Sequence, residues 1–145
     1  MKNTQKRLSS LILVLVLTLS VLLPGCKKSE PLVIKDSDTF IVLKVTQEAL
    51  ADLEGQYLID YMNALAQKGE LECTISDGMI TSINGIANPA DFSSCWMLYT
   101  SDVENANTAW GTVEYEGVEY GSAISGAETL KLKADVVYIW VYQIF

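Results

Sequence analysis

The chain has 145 residues and a formal net charge of −8, from ten basic and eighteen acidic side chains, with no histidine and a single arginine, Arg7. The missing imidazole removes Ser-His and Cys-His nucleophile pairs, acid/base chemistry near neutral pH and the commonest transition-metal ligand. Acidity, and the absence of any arginine after Arg7, disfavour contact with phosphate backbones, so nucleic acid is not an expected partner.

The first element is a leader. "MKNTQKR" is a short basic start, and Leu8–Leu23 is an apolar run broken only by Ser9, Ser10, Thr18 and Ser20. A stable bilayer span wants roughly 20 predominantly apolar residues, so a run that stops short at Pro24-Gly25 reads as a signal peptide. The sequence Leu23-Pro24-Gly25-Cys26 resembles the cleavage box of bacterial lipoproteins, with an aliphatic residue three positions before the cysteine and a small one just before it. That resemblance implies cleavage before Cys26, a diacylglyceryl group on its thiol and acylation (palmitate or a similar chain) of the new N-terminus. Two or more acyl chains hold a protein stably at a membrane. The expected location is therefore extracytoplasmic, with the membrane met through a lipid anchor. From Cys26 onward seven lysines face eighteen carboxylates, a net −11.

Residues 1–25 are thus expected to be a signal peptide, 26–38 a lipidated cysteine and tether, and 39–145 one folded domain. "TFIVLKV", Thr39 to Val45, is rich in β-branched and aromatic residues and predicts a buried strand. "GQYLIDYMNALAQKGE" places Leu58, Tyr61, Met62 and Leu65 on one face of a helix, with Gly69 as its left-handed stop. "LECTISDGMITSING" alternates around Asp77-Gly78, the favoured type I′ hairpin signal. "CWMLYTS", Cys95 to Ser101, predicts a third strand of that sheet. "DVENANTAWGT", Asp102 to Thr112, is polar around one tryptophan and predicts a surface loop, followed by the short strand "TVEYE" and a turn at Gly117. "VVYIWVYQIF", Val136 to Phe145, predicts a central strand covered on both faces. The fold class is α+β: one helix packed on a mixed sheet of about five or six strands.

The order of helix "YLIDYMNALAQKGE", hairpin end "ITSINGIAN", strand "CWMLYTS" and closing "YGSAISGAETLKLKADVVYIWVY" resembles the transcobalamin-like C-terminal domain family. The resemblance runs from about Thr39 to the end and rests on Ser82-Ile83-Asn84-Gly85, Trp96 with Tyr99, Gly121 and the last aromatic strand. It implies a β-grasp-like fold and a non-catalytic, ligand-binding habit, with a corrinoid as the ligand class. The chain departs from the pattern twice. Lys133-Ala134-Asp135 replaces an Asp-Gly-Asp turn, and Asp102–Tyr120 replaces a tight hairpin.

Trp96, Tyr99, Trp110, Tyr115 and Tyr120 surround that longer segment and are the expected contact residues for a small molecule or a surface protein. Strand aromatics also fill cores, and Trp96 is the one most suited to that. Cys73 and Cys95 make an even pair in a compartment where a disulfide is permitted; bonded cysteines and two half-buried thiols both fit the sequence. The pairs Glu70/Glu72 and Glu114/Glu116 fit solvated strand faces. No catalytic constellation, resident cofactor or metal site is expected.

Overall fold

The computed structural model describes residues 32–145. Cys26, the leader and the first part of the tether lie outside that range. Within it the chain is mostly β, 47% strand against 13% helix, with more strand than the expected α+β arrangement implied.

Nine strands and two helices follow one another as β1 (Val33–Ser37), β2 (Phe40–Lys44), α1 (Gln47–Ala51), α2 (Leu58–Gln67), β3 (Cys73–Ser76), β4 (Met79–Ile83), β5 (Ile86–Ala87), β6 (Ser94–Thr100), β7 (Ala106–Tyr115), β8 (Val118–Ala123) and β9 (Val137–Ile144). They form a six-stranded sheet, β1-β2-β9-β6-β8-β7, and a three-stranded sheet, β3-β4-β5.

The expected helix forms where its apolar stripe lies. Leu58, Tyr61, Met62 and Leu65 are all buried, and Gly69 takes φ +72° beyond the last turn. Its start is held by Asp60, whose Oδ2 accepts from the N–H groups of Gln56 and Tyr57, both at 2.9 Å, which answers donors a helix N-terminus leaves over. Burial, and secondarily the nearby charge of Glu70, pushes the Tyr61 phenol up to about 12. That hydroxyl donates to the Lys44 carbonyl at 3.0 Å and ties helix to sheet. The Asp77-Gly78 hairpin forms as the sequence predicts, both residues having positive φ.

Four expectations need correction. The tether is shorter than 26–38, because Val33–Ser37 pairs with β2 as an edge strand. The Cys95–Ser101 strand does not extend the hairpin's sheet; β6 lies in the larger sheet between β9 and β8. The Asp102–Thr112 loop is largely strand, since β7 begins at Ala106. The larger sheet is antiparallel rather than mixed: β2 and β6 run the same way, but β9 inserts between them and opposes both. A second, five-residue helix, α1, is added to the expected one, its start capped by Thr46 Oγ1 accepting from the Ala49 N–H at 3.1 Å.

The helix side of the six-stranded sheet carries the main core, including Ile41, Leu43, Leu98, Tyr138 and Trp140 against Met62, Leu65 and Ile83. Alternation sends Val42, Tyr99, Tyr120 and Ile139 to the other side, where they form a second cluster although no helix or second sheet among the described residues covers them. Curling covers them instead. β2 and β7 stand four strand spacings apart in the sheet, roughly 19 Å if it were flat, yet the rings of Phe40 and Tyr115 lie 6.0 Å apart. The Tyr115 phenol is raised by burial, by Glu116 and also by the charge of Asp36 on β1, the far edge. The sheet therefore rolls over the face opposite the helix.

A bulge in β7 assists the roll. Its register with β8 jumps from Asn107↔Ser122 to Thr112↔Gly121, and such insertions bend a strand. A Cβ on Gly121 would stand 3.1 Å from Ala106 Cβ and 3.3 Å from the Asn107 backbone, so only glycine admits this packing without displacement.

Candidate functional site

Pairing between β6 and β8 stops at Tyr99↔Ser122. Residues Ser94–Leu98 of β6 therefore have no strand neighbour on that side, because the chain leaving β8 turns away. Ile124 N–H donates to Asn105 O at 3.0 Å, and Ala127 O accepts from Ile59 N–H at 2.9 Å. The gap is a groove of about 540 Å³, walled by the β3–β4 hairpin at Gly78–Ile80, the Ser122–Thr129 segment and Phe92, and backed by Trp96, Leu98 and Trp140. It runs along the strand edge and so also touches Cys95 and Met97.

Asn88 fixes one end. Its Oδ1 accepts from the Trp96 N–H at 3.0 Å and its Nδ2 donates to the Ile80 carbonyl at 3.2 Å, joining the two sheets. The Trp96 indole donates to Ile86 O at 2.8 Å. By contrast, the Trp140 indole N–H is buried with no acceptor among the described residues, a state that costs free energy unless something supplies one.

Apolar side chains rim the opening: Met79 is 58% exposed, Phe92 62% and Ile124 46%. Phe92 has φ +53°, a conformation rare for a bulky residue. It is pinned there by its N–H on Pro89 O at 3.1 Å and by the next residue's bonds to Asp91. The Ser93 N–H and hydroxyl donate to Asp91 Oδ1 at 3.1 and 2.9 Å and hold that carboxyl below its ordinary range. Strain retained at an exposed aromatic is characteristic of sites that act on something. Phe92→Gly is expected to be about 1 kcal/mol more stable than Phe92→Ala, reversing the usual order for an ordinary loop position. Paired urea titrations measure the difference.

The five aromatic residues singled out from the sequence do not form one site. Trp96 is buried at the groove, its ring 5.4 Å from that of Tyr142. Tyr99 and Tyr120 are buried in the second cluster, with Tyr115 packed against it; the Tyr99 hydroxyl accepts from Gln143 Nε2 at 2.8 Å. Trp110 is 63% exposed in the β7 bulge.

The two cysteines are free thiols. Cys73 packs against the helix-side core and burial pushes its thiol up. Cys95 alternates with Trp96 and so points to the other face, where its thiol contacts Met97 Sδ at 3.5 Å. Cys73 lies in the three-stranded sheet on the helix side and Cys95 faces the far side of the six-stranded sheet, so the larger sheet stands between them and no disulfide joins them.

Sequence reasoning missed Met79, Phe92, Ile124 and Trp140 as groove residues. The one local signal was an aromatic residue set among turn formers in "NPADFSS". A second depression, about 800 Å³ between Asp52 and Lys68, is lined mostly by polar side chains, and Asp60 there is engaged in capping α2. Among the described residues no three His, Cys, Asp or Glu side chains gather to hold a metal ion, and no helix is long and apolar enough to cross a membrane. No family model, curated protein or solved structure matches the chain.

Proposed function

We propose that this chain is a bacterial surface lipoprotein, anchored through Cys26, whose single domain binds a small cofactor-like solute without transforming it and presents it for uptake. The groove beside β6 carries the proposal: an open, apolar-rimmed cleft of about 540 Å³ falls within the size range of small-molecule sites. Lack of histidine throughout the chain supports a binding rather than catalytic role. The proposed fold is β-grasp-like in having one amphipathic helix held on a curled sheet, although the edges roll toward the face away from that helix. The transcobalamin-like resemblance makes corrinoids the first ligands to try.

A bound ligand raises the unfolding midpoint by mass action, by about 2.7 kcal/mol at a hundredfold excess over Kd. The test is a thermal unfolding series of the membrane-extracted protein against corrinoids and smaller apolar solutes. A rise of several degrees with one class is expected, and an unmoved midpoint with every class overturns the reading. Intact-mass measurement of the same material should show a lipid on Cys26.

Trp110 favours a second reading, a protein-interaction module of a surface complex, because a large ring lies exposed on an edge strand. Trp110→Ala should then abolish a crosslink formed on intact cells while leaving stability within about 0.5 kcal/mol of the parent. Retention of every crosslink would remove this reading.

A further inference from the structure

We infer that the groove beside β6 selects a flat apolar solute that bears no negative charge and offers one hydrogen-bond acceptor. The inference rests on the groove being the binding site. Among the described residues no lysine or arginine lines it, and the one carboxylate that does, Glu128, lies against Gly78 at the tip of the facing hairpin. Across residues 32–145 five lysines face seventeen carboxylates, a net −12. Lys133 is engaged by Asp102 and Glu104, and Lys35 by Asp38. An anionic ligand would enter a negative field with no cation to receive it.

The apolar contacts favour a ring. Phe92 places an exposed aromatic ring at the rim, and the thioether of Met79 beside it suits an aromatic neighbour. Trp140 supplies the polar requirement. It is 5% exposed, lines the groove and holds an indole N–H with no acceptor. That nitrogen is itself shielded from solvent, so a ligand carbonyl or ring nitrogen meets it only when the wall between Trp140 and the groove gives way, and doing so satisfies a donor otherwise buried at a cost. Phosphate-bearing cofactors fall outside this class, and with them any corrinoid carrying the phosphodiester of a nucleotide loop, so the thermal series is expected to respond to the smaller apolar solutes.

Cys95 gives a site-specific readout, since it lines the groove while Cys73 packs against the core. The rate at which iodoacetamide alkylates each thiol is measured peptide by peptide on the full chain in detergent, with three matched probes. These are 6-propionyl-2-dimethylaminonaphthalene, the same amine without its ketone, and an anilinonaphthalene sulfonate. The ketone should slow Cys95 at least fivefold and leave Cys73 unchanged. The amine lacking the ketone should protect more weakly, and the sulfonate should protect least. Glu128→Lys should let the sulfonate protect, and Trp140→Phe should erase the ketone's advantage, with an unchanged Cys73 rate reporting an intact fold. Equal protection by ketone and sulfonate overturns the charge selection while leaving the groove as a site. An undiminished ketone advantage in Trp140→Phe overturns the acceptor requirement. If no probe protects Cys95, the site itself fails, and this inference with it.

Discussion

Ile139→Ala is expected to destabilise the domain by about 3–4 kcal/mol, in the range of a large-to-small change in a closed core. Ile139 lies in β9 and is 0% exposed, directly opposite Val42 on β2 and Tyr99 on β6. Among the described residues, only the rolled sheet covers it. Were the sheet open on that face, the same truncation would remove a side chain already in water and cost well under 1 kcal/mol. Urea unfolding separates the cases, because a change of midpoint at constant m reports stability alone. A cost below about 1 kcal/mol would show that the Phe40–Tyr115 approach does not close the face. Ile139→Val should lie between, at roughly 0.5–1.5 kcal/mol.

What the sequence made legible was local. The α2 stripe and the Asp77-Gly78 turn each need only a few consecutive residues to specify them, and both form as the pattern predicts. The edge strands were legible only in part: the "TVEYE" strand and the turn at Gly117 form, as the second half of β7 and its hairpin with β8, but β1 and the start of β7 were not foreseen. In β1 only Val33 and Ile34 are half-buried, and the strand is held by pairing with β2. The first half of β7 lies largely exposed on a sheet edge, so "ANTAWG" has the composition of a loop. The groove was hidden for a different reason. Its walls come from the β3–β4 hairpin, the Phe92 turn, β6 and the segment after β8, brought together by the early end of one ladder. Nothing in the residues of β9 reveals that one of its buried donors will lack an acceptor.

Asp102→Asn is expected to cost about 2 kcal/mol near neutral pH. The carboxylate is 6% exposed and accepts from Lys133 Nζ at 3.0 Å, Asn105 Nδ2 at 2.7 Å and the Glu104 N–H at 3.3 Å. Lys133 stands before β9 and Asp102 opens the segment between β6 and β7, so this pair joins those two stretches of chain. Burial pushes the Asp102 carboxyl up, but the bonds from Lys133, Asn105 and the backbone outweigh it and hold the group below its ordinary 3.8. A depressed folded pKa means the unfolded chain binds more protons. The stabilisation is therefore present above pH 3.8 and is lost as pH falls through the folded value. Lys133 works from the other side: the hydrogen bonds it donates to Asp102 and Glu104 raise it above its ordinary 10.5, so its contribution is present below that value and lost as pH rises through the folded one. The parent's advantage over Asp102→Asn should hold level between the two ranges and shrink below pH 4. An advantage that stayed constant down to pH 2 would show that charge is not what holds the segment. Glu104→Gln removes only an exposed partner, whose side chain is 78% accessible, and should leave the curve almost unchanged, because exposed pairs contribute little. Equal losses from the two variants would place the stabilisation in the lysine's overall surroundings instead of in its buried partner.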